Sequence, residues 1–424
     1  MLFEFELIII IAMVGTVLLL NLGLRLPSSV AMIAGAVVGS IVAGEGVAVR
    51  HIFEGCFAFL DTSVLISTAM IMMFVIRASG TFEALGAVII KAFHKHPMFL
   101  LYLLMFVVMF PGMITGTASI GVLCAAGIVV PVMTMMGYSK VKIGAFLATG
   151  ATLGMIAPPV NIPAMMIASM VDMSFRGFTG PLLFISGVVS VIFVTIIGWG
   201  KVKPIDLEEA KQYIDFEIGK KYGFKIYLPL LYVILHIAAV RAFPRIFPDL
   251  GNPLVFTIGT IVALFTGRKV DLIKTASTAM EENVSVIGKL MAIGSFLQVF
   301  VFVGARGYVV TNCVTLPVLG IALACLIIMP LFGGISVYGS ASLFGPPLVL
   351  AMLGGEEIIM AAALSALAIL GELMPPSALA ANYAASVVDE SYKDIMKECA
   401  LTIVMIIVVA FLCLQFSSQL SFLV

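Results

Sequence analysis

The amino-acid sequence predicts an all-α polytopic membrane protein built from two similar halves. Three observations lead to this prediction: apolar segments recur along the whole chain, a proline-interrupted apolar motif occurs twice, and a polar stretch separates its two copies. Of the 424 residues, 62% are hydrophobic and 11% are charged, and the mean hydropathy is +1.20. Soluble globular domains do not have this composition.

Apolar segments that can cross a hydrocarbon core of about 30 Å recur in both halves and predict the membrane helices. They lie near residues 5–24, 27–43, 57–76, 97–111, 143–170, 179–198, 226–243, 251–266, 284–303, 313–330, 358–387 and 398–416. If every segment spans, each half has an even number of crossings and the halves are parallel. An inverted pair requires an odd number, so one of the predicted segments would not span.

Composition excludes several other classes of protein. Lys+Arg and Asp+Glu number 23 each, so no strongly basic surface indicates nucleic-acid binding. Six cysteines without a CxxC spacing favour neither a zinc site nor a disulfide framework. The first apolar run follows two glutamates and no basic segment, which predicts a membrane helix rather than a cleaved signal. No enzymatic activity is predicted, because only His236 could serve a Ser or Cys nucleophile at membrane depth.

The longest polar stretch, residues 201–225, holds six lysines and five acidic residues and predicts an extramembrane connector. It divides the chain into a first repeat, residues 1–200, and a second repeat, residues 226–424. Segments 112–136 and 331–353 are rich in Gly, Ser, Thr and Pro, which predicts a re-entrant hairpin in each repeat. Broken helices are predicted at 143–170 and 358–387, where tandem prolines interrupt apolar sequence.

The repeat is clearest around the tandem prolines. "LGMIAPPVNIPAMMIASMVDMS" at 153–174 and "LGELMPPSALAANYAASVVDES" at 370–391 are identical at ten of 22 positions. Chance would give roughly one or two matches for so biased a composition. Upstream, the turn Gly-Thr-Ala-Ser at 116–119 is echoed by Gly-Ser-Ala-Ser at 339–342. Asp172 and Asp389, 13 to 14 residues after the prolines, predict structural turns at the ends of half-helices.

Paired interruptions of this kind predict a binding site. A helix broken inside the membrane exposes free N–H groups at one half-helix start, which favour anions, and free carbonyls at the other end, which favour cations. In lipid, broken backbone is tolerated only where protein or a water-filled cavity surrounds it. Corresponding interruptions in two halves therefore indicate a transporter site at which both breaks and both hairpin tips meet.

At these residues the chain resembles the large membrane subunit of tripartite ATP-independent periplasmic (TRAP) transporters. The likeness is carried by "MITGTASIGVLCAAGIVVPVMTMMGYSKVKIGAFLATGATLGMIAPP", residues 113–159, and extends over nearly all of the chain. It implies two inverted repeats, with a scaffold and a mobile transport domain of the elevator type. It also implies uptake of small organic acid anions, dicarboxylate or sialic-acid-like, with sodium co-transport in the bacterial cell inner membrane. The implied partners are a small membrane subunit and a periplasmic substrate-binding protein.

The resemblance also implies where ions and substrate bind. A first sodium would bind near Gly116, Thr117, Ala118 and Ser119 together with Gly150, Thr152 and Gly154. A second sodium would bind near Gly339, Ser340 and Ser342 together with Gly371, Glu372 and Met374. Substrate would contact Ser119, Pro158, Pro159, Asn161, Ser342, Pro375, Pro376 and Ser377. No other metal and no organic cofactor is expected.

The chain departs from the family pattern at both breaks. Val160 and Asn161 follow the first prolines, where the family has Ser, and Met374 precedes the second pair, where the family has Thr. The missing threonine hydroxyl weakens the case for the second sodium site. Glu372 occupies a position that is normally apolar, so a proton is an alternative coupling ion. A stand-alone anion or ion transporter of the same superfamily is a further alternative. A channel would require a filter or a ring of charges, and the sequence shows neither.

Overall fold

The computed structural model describes residues 2–200, 203–243, 245–352 and 355–424, and these residues form helices joined by turns. The helices of the first half are α1 (Leu2–Leu18), α2 (Ser28–Val42), α3 (Val49–Gly55), α4 (Leu60–Ala78), α5 (Thr81–Phe93), α6 (Pro97–Thr115), α7 (Ala118–Met135), α8 (Lys140–Ile156), α9 (Ile162–Met170) and α10 (Thr179–Gly198). The connector contains two short helices, α11 (Leu207–Ala210) and α12 (Ile218–Tyr222).

The second half continues with nine further helices in the described ranges. They are α13 (Leu228–Ala242), α14 (Asn252–Thr266), α15 (Leu272–Phe302), α16 (Ala305–Val314), α17 (Val318–Gly333), α18 (Val337–Ala351), α19 (Glu357–Ile369), α20 (Leu379–Val388) and α21 (Tyr392–Gln415). A π-helical turn extends α1 over Leu19–Gly23, and 3-10 turns occupy Gly223–Tyr227, Leu370–Glu372 and Ser421–Leu423.

Eight helical segments of the described residues are long and apolar enough to cross a membrane. They are Phe5–Gly23, Val49–Ala78, Pro97–Thr115, Ala118–Met135, Thr179–Gly198, Ile218–Ala242, Leu272–Phe302 and Tyr392–Gln415. The all-helical architecture and these segments agree with the predicted class, a multi-pass membrane protein.

The tandem prolines interrupt helices in both halves. In the first half α8 ends at Ile156 and α9 begins at Ile162, and in the second half α19 ends at Ile369 and α20 begins at Leu379. Proline has no backbone N–H to donate, and its ring clashes with the preceding turn, which disfavours continuation of the helix. Segments 143–170 and 358–387 are therefore each divided into a longer helix and a shorter one.

The hairpins extend beyond the predicted segments. Helix α6 continues past the predicted segment end at 111 to Thr115, and α17 continues past the predicted end at 330 to Gly333, so Pro111 and Pro330 lie inside their helices. Neither 112–136 nor 331–353 is a hairpin by itself, since α7 and α18 are continuous. The two hairpins are α6–α7, which turns at residues 116–117, and α17–α18, which turns at residues 334–336.

The helices pack in two groups. One group contains α6 to α10 and α17 to α21, and the other contains α1 to α4 and α13 to α15. Between the halves, α7 packs against α20 and α18 packs against α9. Each hairpin thus contacts the short helix that follows the break of the other half.

Helices α8 and α19 lie at the centre of the first group and are buried on all sides. Every residue from Ile143 to Ile156 is buried, and every residue from Ile359 to Ile369 is buried as well. A helix that is apolar all round requires neighbours all round. Both helices are rich in Ala and Gly, and small residues allow helix backbones to approach closely where no hydrophobic effect drives association.

The connector packs against the protein instead of extending freely. Ile205, Ala210, Ile214 and Ile218 are buried. The Arg268 guanidinium, at the end of the turn after α14, lies 2.7 Å from a Glu83 carboxylate oxygen of α5 and 3.8 Å from one of Asp215 in the connector. The predicted linker therefore has a fixed position beside the start of α5.

Candidate functional site

The first hairpin tip is formed by Gly116 and Thr117. Gly116 ends α6 with φ +65°, a left-handed conformation that glycine adopts without strain. Thr117 is extended and precedes α7, and its hydroxyl lies 3.1 Å from that of Thr115. A Cβ placed on Gly116 would lie 2.7 Å from the Ile162 side chain. The tip is therefore packed against the start of α9, immediately after the first break.

The second hairpin tip comprises residues 334–336 and ends in a capped helix start. Ser336 is extended, and its Oγ accepts a 3.1 Å hydrogen bond from the Gly339 N–H in the first turn of α18. An N-cap of this kind satisfies one of the free N–H groups at a helix start. Ser336, rather than Ser340, therefore has the position that Thr117 has in the first hairpin.

Each hairpin is hydrogen-bonded to the break in its own half. The N–H of Val160 donates to the Met113 carbonyl at 3.1 Å, and the N–H of Ser377 donates to the Gly334 carbonyl at 2.9 Å. Val160 and Ser377 are equivalent positions of the sequence repeat, each directly after the tandem prolines. A backbone hydrogen bond thus holds each broken segment to its own hairpin, at the last turn of α6 in the first half and at the turn after α17 in the second.

Asn161 satisfies the backbone groups that the first break leaves free. Its Oδ1 accepts from the Ala164 N–H at 2.8 Å, and its Nδ2 donates to the Ile156 carbonyl at 2.8 Å. Nδ2 also lies 3.3 Å from the Ser365 Oγ in α19. The side chain is completely buried. Asn161 therefore joins the end of α8 to the start of α9.

Both tips and the second break meet at one small cavity of about 60 Å³. It is lined by Ser28, Thr117, Ala118, Ser119, Val286, Lys289, Ile335, Ser336, Val337, Tyr338, Glu372, Ser377 and Leu379. One water molecule requires about 10–15 Å³ by this measure, so the space holds a few waters or a small hydrated ion. Six of the lining side chains carry hydroxyl groups, and two carry charges of opposite sign.

Five of the residues predicted for ion or substrate binding line this cavity: Thr117, Ala118, Ser119, Glu372 and Ser377. The others lie elsewhere around the tips and breaks: Gly116, Gly150, Thr152, Gly154, Pro158, Pro159, Asn161, Gly339, Ser340, Ser342, Gly371, Met374, Pro375 and Pro376. The binding roles of both sets stay predictions.

Gly150 and Gly154 in α8 and Gly371 in the 3-10 turn after α19 allow close helix packing. A Cβ on Gly154 would overlap the Met109 carbonyl oxygen of α6, and a Cβ on Gly371 would overlap the Gly333 carbonyl oxygen of α17. A Cβ on Gly150 would likewise lie 2.8 Å from the Val108 side chain of α6. The glycine of each Gly-x-x-x-Pro-Pro motif therefore lets the broken helix lie directly against its hairpin.

Three of the predicted hydroxyl groups already donate within their own helix or hairpin. Thr152 Oγ1 donates to the Ala148 carbonyl at 2.8 Å, Ser340 Oγ to the Met329 carbonyl at 2.7 Å, and Ser342 Oγ to the Tyr338 carbonyl at 2.7 Å. Their oxygen lone pairs remain available as acceptors, but all three side chains are buried away from the cavity lining.

Sequence reasoning missed four polar residues of the cavity: Ser28, Lys289, Ser336 and Tyr338. A signal was present for Lys289, because it is the only charged residue between 284 and 303 in an apolar segment, and such charges mark functional sites. A signal was present for Ser336 as well, since superposing Pro111 on Pro330 aligns Thr117 with Ser336.

Comparison with known proteins adds no relative to this description. No sequence model of a known protein family matches the chain, and no curated protein is significantly similar to it. The functional argument therefore depends on the residues and the geometry described above.

Proposed function

We propose that the chain is the membrane subunit of a secondary active transporter that takes up small organic acid anions, dicarboxylate or sialic-acid-like, with sodium. The observation that supports this proposal is the cavity at which two hairpin tips, a helix break and a lysine meet. Sites of this composition offer donors for carboxylates and oxygen ligands for a small cation. A proton is the alternative coupling ion.

We propose that the two packed groups of helices move relative to each other. In this proposal α6 to α10 and α17 to α21 form the mobile transport domain, and α1 to α4 and α13 to α15 form the scaffold. Helices α5 and α16 follow Gly80 and Gly304, which have φ of +84° and +78°, and connect the groups. The two halves would then be inverted repeats, and the movement would be of the elevator type.

Partners and location are proposed from the family resemblance. We expect a small membrane subunit and a periplasmic binding protein that delivers the anion, in a bacterial inner membrane. Co-purification of the chain with the products of adjacent genes, followed by mass spectrometry, tests this part. Recovery of the chain alone, with full transport activity in liposomes, would favour the stand-alone alternative.

Counterflow in proteoliposomes tests the transport proposal. Vesicles preloaded with unlabelled succinate or N-acetylneuraminate should accumulate the labelled anion transiently when sodium is present on both sides. A carrier exchanges internal for external substrate, so the labelled anion accumulates only in preloaded vesicles. A flux that is insensitive to preloading would indicate a channel, and no flux with any of a panel of carboxylates would contradict the proposed substrate class.

Variants at the hairpin tips test whether the cavity is the site. Ser119→Leu and Ser336→Leu should each abolish counterflow, because a leucine side chain fills much of a 60 Å³ space. Ser285→Leu is the control, since Ser285 is exposed on α15. All three should elute as monodisperse species of unchanged size. Near-normal exchange by both tip variants would show that the transported anion binds elsewhere.

A further inference from the structure

Lys289 places a positive charge in an otherwise apolar stretch of α15. It lies in the second half of α15, and it is the only charged residue between 284 and 303. It is half-buried, and it lines the cavity together with Val286, three residues earlier on the same helix face. A charge held away from water is costly unless an opposite charge or hydrogen-bond acceptors compensate it.

Glu372 supplies the opposite charge from the other group of helices. It ends the 3-10 turn Leu370–Glu372 that follows α19, it is only 6% exposed, and it lines the same cavity. The Ala380 backbone at the start of α20 interacts with its carboxylate. The first turn of a helix favours negative charge, which offsets part of the cost of burying this carboxylate.

Both charged side chains line the cavity, and they form no direct ion pair. The Lys289 ammonium acts electrostatically on the Glu372 carboxylate. No salt bridge of 4.0 Å or less joins them, although seven such bridges occur elsewhere in the described ranges. Space therefore remains between the charges, and hydroxyl groups of both hairpin tips surround it.

We propose that Lys289 receives a carboxylate of the transported anion and that Glu372 receives the coupling cation. This inference rests on the proposed function and names the residues that recognise each ligand. In the empty cavity the two side chains neutralise each other. When both ligands bind, each side chain exchanges its distant partner for a direct one, and one carboxylate group together with one monovalent cation leaves the net charge of the cavity unchanged.

Binding of one ligand alone leaves an unpaired charge in the cavity. An anion beside Lys289 would face the uncompensated Glu372 carboxylate, and a cation beside Glu372 would face the uncompensated ammonium group. Like charges repel strongly at short range in surroundings of low dielectric constant. The anion and the cation therefore bind cooperatively, which is the requirement for coupled transport.

Ligand binding to the purified full-length chain in nanodiscs tests the exchange. The probes are sodium chloride, choline succinate and sodium succinate, with N-acetylneuraminate as the second anion, and thermal stabilisation is measured against concentration. In the wild-type chain, sodium and anion together should stabilise more than the sum of their separate effects. This pattern would support a cooperative site of either anion class.

Substitutions separate the two roles. Lys289→Gln should raise the half-saturating anion concentration by about tenfold to a hundredfold, the range expected for losing a hydrogen bond to a charged group. Lys289→Arg should restore most of the affinity. Glu372→Gln should remove the sodium dependence while anion binding continues, because Lys289 no longer has a competing carboxylate. Lys274→Gln and Glu357→Gln are controls, since both side chains are exposed.

Different outcomes refute the roles of Lys289 and Glu372 and the proposed transport function. If the wild-type chain shows counterflow while Lys289→Gln binds the anion normally, the transporter proposal stands and the role of Lys289 is refuted. Unchanged sodium dependence in Glu372→Gln likewise refutes its role. If the wild-type chain neither binds nor exchanges any carboxylate, both proposals are refuted. The doubly substituted chain, Lys289→Gln with Glu372→Gln, should remain folded, because its cavity is uncharged.

Discussion

Replacing Asn161 by alanine should weaken the first helix break. Two hydrogen bonds are lost, one from the Ala164 N–H and one to the Ile156 carbonyl, both 2.8 Å long and both buried. A buried backbone group left without a partner costs about 1–3 kcal/mol, so the two together cost about 2–6 kcal/mol. This estimate already contains the cost of losing the N-cap of α9, because the hydrogen bond from the Ala164 N–H is that cap.

The assay is a thermal melt of the detergent-solubilised chain followed by size-exclusion chromatography. A loss of this size should lower the melting temperature by about 3–8 °C, because the shift per kcal/mol falls as chain length grows. Asn382→Ala is the matched control. Asn382 donates a 2.8 Å hydrogen bond to the Ser377 carbonyl in the second break, but it is exposed, so water replaces the lost amide.

The same experiment distinguishes a structural Asn161 from a substrate ligand. Asn161→Asp keeps the acceptor for Ala164 but loses the donor to Ile156 and buries a charge, so it should melt at least as early as the alanine variant. An Asn161→Ala chain that melts within about 1 °C of wild type, while its half-saturating anion concentration rises, would refute the structural account. It would restore Asn161 to the substrate site that the sequence predicted.

Three further predictions concern packing, turn geometry and access. In the same melt, Gly371→Ala should strongly destabilise the protein, because the added Cβ overlaps the backbone of α17. Gly127→Ala is the control and should have little effect, since no atom lies within 4 Å of the Cβ that it adds. Asp389 has φ +55°, so Asp389→Gly should be tolerated and Asp389→Val should cost about 1–2 kcal/mol; equal melting of both variants would contradict the predicted turn. Cysteines introduced at Ala118 and Val337 should react with a membrane-impermeant maleimide at rates that change when ligand binds. If both cysteines are labelled from the same side of the membrane whether or not ligand is present, the protein has an open pore.

The broken helices and the turns that follow them were predictable from local chemistry. A tandem proline removes two backbone donors, and the interruptions near 158 and 375 were predicted on that basis together with the repeated Gly-x-x-x-Pro-Pro motif. The pair Pro346–Pro347, which lacks this motif, lies inside the continuous helix α18. The equivalent aspartates at the ends of the half-helices were interpreted as turns, and both have φ +55°. Single prolines were less informative, because Pro111 and Pro330 are accommodated inside long helices.

The second hairpin tip was predicted in the wrong register because two signals competed. The letters Gly-Ser-Ala-Ser at 339–342 match the first tip, but these residues belong to the first turns of α18. The tip lies a few residues earlier, at the position that the preceding proline indicates. Which hydroxyl group caps the helix depends on where the backbone turns, and this is set by packing against the Pro375–Pro376 segment.

The cavity itself could not be derived from the sequence, because its residues come from distant parts of the chain. Ser28 and Lys289 belong to helices outside both repeat motifs, and they reach the hairpin tips only through the packing of α2 and α15. For Asn161 the sequence shows the residue but not which groups its side chain contacts. A buried amide next to a break is chemically suited to a ligand, and only its hydrogen bonds show that the backbone already uses both of its polar atoms.

The exchanged contacts between the halves, α7 with α20 and α18 with α9, have a consequence for biogenesis. During synthesis the first half leaves the ribosome before α18 and α20 are made. Helices α7 and α9 therefore lack their final packing partners until the second half has been synthesised. Contacts so distant in sequence form late and slowly. The cavity is therefore completed only when nearly the whole chain has been inserted, and a chain truncated before α18 lacks residues that line it.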